Sequence, residues 1–220
     1  MDSNKIFNAL GNIEDIVAHD VYREIWNDVS CDVQNRKADR ANLSPESRLQ
    51  IFEGLVKRPS YLIRLADIVN AKNIVEIGTA EGLQFYSFAQ YLKEKGMQGK
   101  VWSCDILDKR IESYKDRYDN TEFYLGNSKG LSNHIPQDIS IDLIYIDAGH
   151  NRWDVINDVN NMKKLQHNNT IWVFDDYDER FGCYQDINDL CKLNSNFKSY
   201  KVGNTASNSP NHQMIIHGRL

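Results

Sequence analysis

Two hundred and twenty residues, 41% hydrophobic and 26% charged, are enough for one soluble domain with a full core and a helical extension. A formal net charge of −5, with no basic face, excludes a nucleic-acid binder that works by neutralising phosphates. No apolar run approaches the ~18 residues that cross a bilayer and no charged-then-apolar leader is present, so neither membrane insertion nor secretion is expected. The four cysteines, Cys31, Cys104, Cys183 and Cys191, lack C-x-x-C spacing and read as reduced thiols of a cytoplasmic protein.

Ile6, Phe7, Leu10, Ile13, Ile16, Val17, Val21, Ile25 and Trp26 recur at helical spacing, which predicts one or two amphipathic helices at the start of the chain. A segment of that kind often docks on a second copy, so a homo-oligomer through these helices is an expectation. From Cys31 to Leu43 the sequence turns polar, with Arg36, Lys37 and Arg40 close together. It reads as a solvated loop or as a cover over a ligand site, its cations meeting an acidic substrate. Ser44-Pro45 supplies an N-cap and a first-turn proline for a helix that Pro59 should interrupt, and a second helix follows over about 60–70. The division expected is a helical extension or lid over 1–58 and a catalytic domain over 59–220.

The stretch N-I-V-E-I-G-T-A-E-G at 73–82 organises the rest. Ile74, Val75 and Ile77 form an apolar run suited to a strand buried on both faces, and apolar positions at helical spacing resume after Gly82. Gly78 and Gly82 therefore mark a tight strand-to-helix turn, with Thr79 between them and bare N–H groups beside any ligand. The spacing E-x-G-x-x-x-G is neither G-x-G-x-x-G nor a P-loop, and no lysine follows Gly82 to hold a phosphate. Glu76 would repel a pyrophosphate and suits a cationic or hydroxyl-bearing ligand.

Strands and helices then alternate: strands at 100–105, 122–125, 141–147 and 170–175, helices at 109–118, in the stripe Val155, Ile156, Val159 and Met162, and at 184–193. Two closing strands, 199–202 and 213–217, look like edge strands. This succession predicts an α/β fold: a Rossmann-like, seven-stranded, mostly parallel sheet with an antiparallel last strand and helices on both faces. Ligands belong at the carboxyl ends of its strands, and those ends are acidic: Glu76, Asp105, Asp147, Asp175 and Asp176. Asp105 sits where a carboxylate can accept both hydroxyls of a ribose. Asp147, Asp175 and Asp176 would converge, and carboxylates brought together need a proton or a cation between them; a hard divalent ion such as Mg²⁺ is the natural one. Asp186 and Asp189 read as the solvated face of a helix.

These segments resemble the metal-dependent branch of the class I S-adenosylmethionine (SAM) O-methyltransferases over roughly residues 60–195. V-E-I-G-T-A-E-G at 75–82, W-S-C-D at 102–105, L-G-N-S at 125–128, D-L-I-Y-I-D-A-G-H at 142–150 and W-V-F-D-D at 172–176 carry the likeness. The resemblance implies SAM held by Glu76, Gly78, Thr79, Gly82, Asp105, Asn127 and Ser128, and Mg²⁺ or another divalent cation held by Asp147, Asp175 and Asp176. Asn127 stands where an aspartate is more usual, and Asp176 where catechol-type members have asparagine. The D-x-x-H of Asp147 and His150 is similar to bacterial enzymes that methylate sugar hydroxyls, which points to a sugar or nucleotide-linked sugar acceptor. His150 is then the candidate base, since imidazole titrates near neutrality. Trp153 and Tyr177 are candidates for an acceptor wall. Metal-free methyl transfer and a catalytically silent SAM-binding partner subunit are the competing readings.

Overall fold

The computed structural model describes residues 2–11, 22–29, 44–204 and 210–220. The cationic stretch at Arg36, Lys37 and Arg40 lies outside them. Helices α1 (Ser3–Leu10), α2 (22–29) and α3 (Pro45–Val69) precede an alternation of β1 (Asn73–Ile77), α4 (Leu83–Glu94), β2 (Lys100–Asp105), β3 (Thr121–Leu125), α5 (Ser128–His134), β4 (Ile141–Ile146), α6 (Asp154–Met162), β5 (Gln166–Phe174), α7 (Cys183–Leu193), β6 (Phe197–Asn204) and β7 (Pro210–His217). The seven strands form one sheet in the order β3-β2-β1-β4-β5-β7-β6. β7 alone runs antiparallel to its neighbours.

Strand alternation explains the layers. Ile74, Val101, Leu143, Tyr145, Ile171 and Val173 point to the face covered by α1 to α4, while Val75, Ile77, Trp102, Ile144, Ile146, Trp172 and Phe174 point to the face covered by α5 to α7. The first cluster draws in the chain's amino-terminal helices through Ile6, Leu10, Ile25 and Trp26, all buried. The Trp26 indole N–H donates to Ser87 Oγ at 2.9 Å, tying α2 to α4.

Four local expectations change. Pro59 does not break α3. Although proline removes a helical donor, Pro59 itself and Tyr61, Leu62, Leu65 and Ala66 after it are buried, so packing holds the helix through the defect. The helix expected over 109–118 is a single 3₁₀ turn, Glu112–Tyr114, anchored by the buried Tyr114 ring and by Lys115, which pairs with both Asp108 and Glu112. A short helix at Ser128–His134 had no periodic signal. Finally, β7 inserts between β5 and β6, so of the two closing strands β6 is the edge and β7 is not.

Candidate active site

The parallel register turns scattered acids into a row. Ile77 pairs with Cys104 and with Ile146, and Ile146 with Phe174. One residue further on, Gly78, Asp105, Asp147 and Asp175 lie side by side across four strands. Backbone bonds carry the ladder to that row: Gly78 N–H donates to Cys104 O at 2.9 Å, Asp147 N–H to Ile77 O at 2.8 Å and Asp175 N–H to Ile146 O at 2.9 Å.

Gly78 must be glycine. Its φ is +96°, and a Cβ there would sit 1.9 Å from the carbonyl oxygen of Asp147. The turn opens a cleft of about 760 Å³ lined by Gly78, Ala80, Asp105, Asn127, Ser128, Asp147, His150 and Asp158, among others. It lies at the carboxyl ends of the strands, where the fold expects ligands.

At the ends of β1 and β2, Asp105 receives the Ala80 N–H on Oδ2 at 2.9 Å and the Leu107 N–H on Oδ1 at 3.1 Å, so the carboxylate holds the glycine turn while facing the cleft. Glu76 is buried beneath that turn. It accepts from Ser103 Oγ at 2.7 Å, Ser103 Oγ lies 2.6 Å from Thr79 Oγ1, and burial pushes the Glu76 carboxyl well up. Gly82, at φ +94°, starts α4 over the Tyr86 ring. Asn127 lines the cleft, yet its side chain caps α5 by accepting from Gly130 N–H at 3.0 Å. Buried Ser128 donates to Asp158 Oδ1 at 2.6 Å and accepts from Asn161 Nδ2 at 2.9 Å. Asp158 was not anticipated; burial pushes its carboxyl up to about 6.

Beyond β4 and β5 the structure brings together a different trio from the one expected. Asp147, His150 and Asp176 each offer a ligand atom within 4.8 Å of the others. His150 Nε2 stands 2.6 Å from Asp176 Oδ2, and that carboxylate raises the imidazole above its ordinary value. Asp175 instead turns inward. Its side chain is 1% exposed; Oδ1 accepts from Gln213 Nε2 at 3.1 Å, and Oδ2 is 2.8 Å from Arg58 Nη1. The same Arg58 nitrogen donates to Asp147 Oδ2 at 3.0 Å, where the Tyr145 hydroxyl also donates at 3.0 Å. Burial works against the guanidinium's charge, but Asp175, then Tyr145 and Asp147, more than offset it and hold Arg58 firmly protonated.

Arg58 was missed because it lies outside the alternating strands, on a helix the sequence assigns to an extension. The available signal was that a buried acid row needs a cation. The Tyr177 hydroxyl donates to Asn188 Oδ1, its ring packs on Tyr184 at 4.7 Å, and it is not among the residues that line the cleft. Trp153, 58% exposed with φ +76°, does not line the cleft. Asp186 is buried rather than solvated, accepting the Trp153 N–H and pairing with Arg152 Nε at 3.1 Å.

Six parallel strands in this order, one antiparallel strand, and a glycine turn facing an acid-lined cleft define the class I SAM-dependent methyltransferase fold. A family profile described as a methyltransferase domain matches residues 75–177, the span from β1 to the loop after β5. No curated protein sequence matches it. An O-methyltransferase from Bacillus cereus in complex with SAH is similar at 19% identity and a TM-score of 0.61, over 92% of this chain and 93% of that one. The O-methyltransferase TomG from Streptomyces achromogenes, involved in tomaymycin synthesis and solved with SAM, is similar at 15% identity and TM-score 0.59 over 99% and 96%. The N-methyltransferase NodS from Bradyrhizobium japonicum WM9 follows at 13% and 0.58 over 76% and 98%. At such identities the likeness is one of fold, and it spans oxygen and nitrogen acceptors alike. Among the described residues, no helix is long and apolar enough to cross a membrane.

Proposed function

We propose that this protein is a SAM-dependent O-methyltransferase that acts, with help from a divalent cation, on a hydroxyl of a small polar molecule such as a sugar or nucleotide-linked sugar. The observation that carries the reading is the meeting of Asp147, His150 and Asp176, the first two of which line the cleft together with Gly78. The similar O-methyltransferases solved with SAM or SAH support the cofactor.

Two carboxylates with open positions suit Mg²⁺, which is commonly held by one or two acids plus water and substrate oxygens. Asp147 and Asp176 would hold the ion, which when bound lowers the pKa of a coordinated hydroxyl. SAM supplies a sulfonium methyl for in-line displacement. The rest falls to the chain. Asp105 fixes the turn through Ala80 and faces the cleft for the ribose; Gly78 and Gly82 let the backbone approach the cofactor. His150 Nε2, beside the acids, takes the acceptor's proton once Asp176 is engaged elsewhere.

Methyl transfer is read as SAH release over a panel of sugars and nucleotide sugars. The expected outcome is that D147A abolishes turnover while SAM still binds, and that a chelator stops the wild type. A second reading, metal-independent transfer, draws on one observation: Arg58 already places a positive charge between Asp147 and Asp175. Turnover that survives chelation selects it. SAM binding with no acceptor methylated would leave only a silent SAM-binding subunit.

A further inference from the structure

We propose that Arg58 is a resident counter-cation that competes with a divalent ion for the carboxylates of this site and so sets how tightly the ion is held. The inference rests on the reading of Asp147 as an ion ligand.

One nitrogen, Arg58 Nη1, bridges two carboxylates, 3.0 Å from Asp147 Oδ2 and 2.8 Å from Asp175 Oδ2. A divalent ion on Asp147 must therefore share a carboxylate with a guanidinium or move it aside, and like charges that close repel. Arginine does not escape by losing its proton, so the competition persists at every working pH. The second observation is Asp175 itself. Its side chain is 1% exposed, and among the described residues Oδ2 has no aligned hydrogen bond and faces the charge of Arg58. Gln213 reaches the other oxygen but brings no charge. Without Arg58 the buried Asp175 carboxyl would lose the positive charge that faces it, and a divalent ion could take that place with Asp175 as a further ligand. His150 does not fill this role, because it pairs with Asp176. Arg58 thus divides the acid row, neutralising Asp147 and Asp175 and leaving Asp176 to His150.

The test is a Mn²⁺ titration of the full chain, with free Mn²⁺ read by electron paramagnetic resonance. R58M is expected to bind Mn²⁺ at least about tenfold more tightly than wild type, and R58K to stay near wild type. A residue that only supported the fold would lose ion affinity when removed, not gain it. Because R58M could be too unstable to fold, a second pair carries the same question: in D175N and R58M/D175N the buried charge is absent, and the double variant should bind about threefold or more tightly than D175N. Equal or weaker binding in R58M overturns the proposal; if R58M does not fold, equal affinities in the second pair do so. Should wild type bind no Mn²⁺ while R58M does, Arg58 excludes the ion as proposed and it is the metal-assisted reading that falls. Chelator-sensitive turnover in wild type, with R58M no tighter, is the reverse outcome.

Discussion

Replacing Gly78 by alanine should damage both stability and cofactor binding, and its size can be worked from the turn. The added Cβ would lie 1.9 Å from Asp147 O and 2.6 Å from Asp147 C, where carbon contacts normally need roughly 3.5 Å. Both neighbours are backbone, so β1 and β4 must part at the end of their ladder, losing the 2.8 Å bond from Asp147 N–H to Ile77 O, about 1 kcal/mol. A side chain at positive φ adds about 1–2 kcal/mol, and overpacking about 1–3 kcal/mol. The sum, about 3–6 kcal/mol, is a large share of a typical domain stability of about 5–15 kcal/mol. At about 2–4 °C per kcal/mol, Tm should fall by roughly 6–24 °C. Gly96→Ala is the control. Its φ is +59° but nothing lies within 4 Å of an added Cβ, so only the conformational cost of about 1–2 kcal/mol applies. Urea and thermal unfolding followed by circular dichroism compare the two, and calorimetry with SAM reads the turn. If G78A unfolds within ~1 kcal/mol of G96A and binds SAM like wild type, the close approach does not shape the site.

The parts of this protein that were legible in sequence are those where local pattern and tertiary role coincide. The apolar run Ile74-Val75-Ile77, stopped by a glycine that only glycine can be, gave β1, the turn and the start of α4 together. Because parallel strands in register bring their ends to one line, acids ending separate strands fall in one row that the sequence alone already implies. What could not be read was how that row is neutralised. Charge balance is a tertiary property: Arg58 lies 89 residues from Asp147 on a helix without a motif, and nothing in its neighbourhood marks it as an ion partner. The sequence suggests one cation shared by all three aspartates; the fold turns Asp175 away to Arg58, which also reaches Asp147, and sets His150 beside Asp176. Asp186 was missed for a related reason. A helix with acids at i and i+3 looks solvated, yet α7 buries the first of them beneath the Trp153 turn, where an unpaired N–H and Arg152 need it.

Three further outcomes follow from individual side chains. D186A strips the acceptor from Trp153 N–H and Arg152 Nε, and should cost about 2–3 kcal/mol in urea unfolding; a loss under ~0.5 kcal/mol would show that the turn closes without it. His217 is buried, with Nδ1 2.7 Å from Ser3 Oγ, and burial lowers its pKa below 6.5, so the neutral ring is the folded form. Its contribution is present above pH 6.5 and lost as pH falls below it, so the urea midpoint should drop between about pH 7.5 and 5.5 in wild type and less so in H217Q. Asp158 titrates with the opposite sense. Its carboxyl rises from 3.8 to about 6 in the fold, so folding favours the protonated acid and stability is lost as pH climbs through that window. Above it the ionised form costs up to about 3 kcal/mol, at about 1.4 kcal/mol per unit. D158N keeps an oxygen to accept from Ser128 but carries no charge. It should raise the urea midpoint at about pH 7 and match wild type near pH 4. Equal midpoints at both pH values would mean that Asp158 is solvated in the native state, and that the Ser128 contact does not hold it under α6.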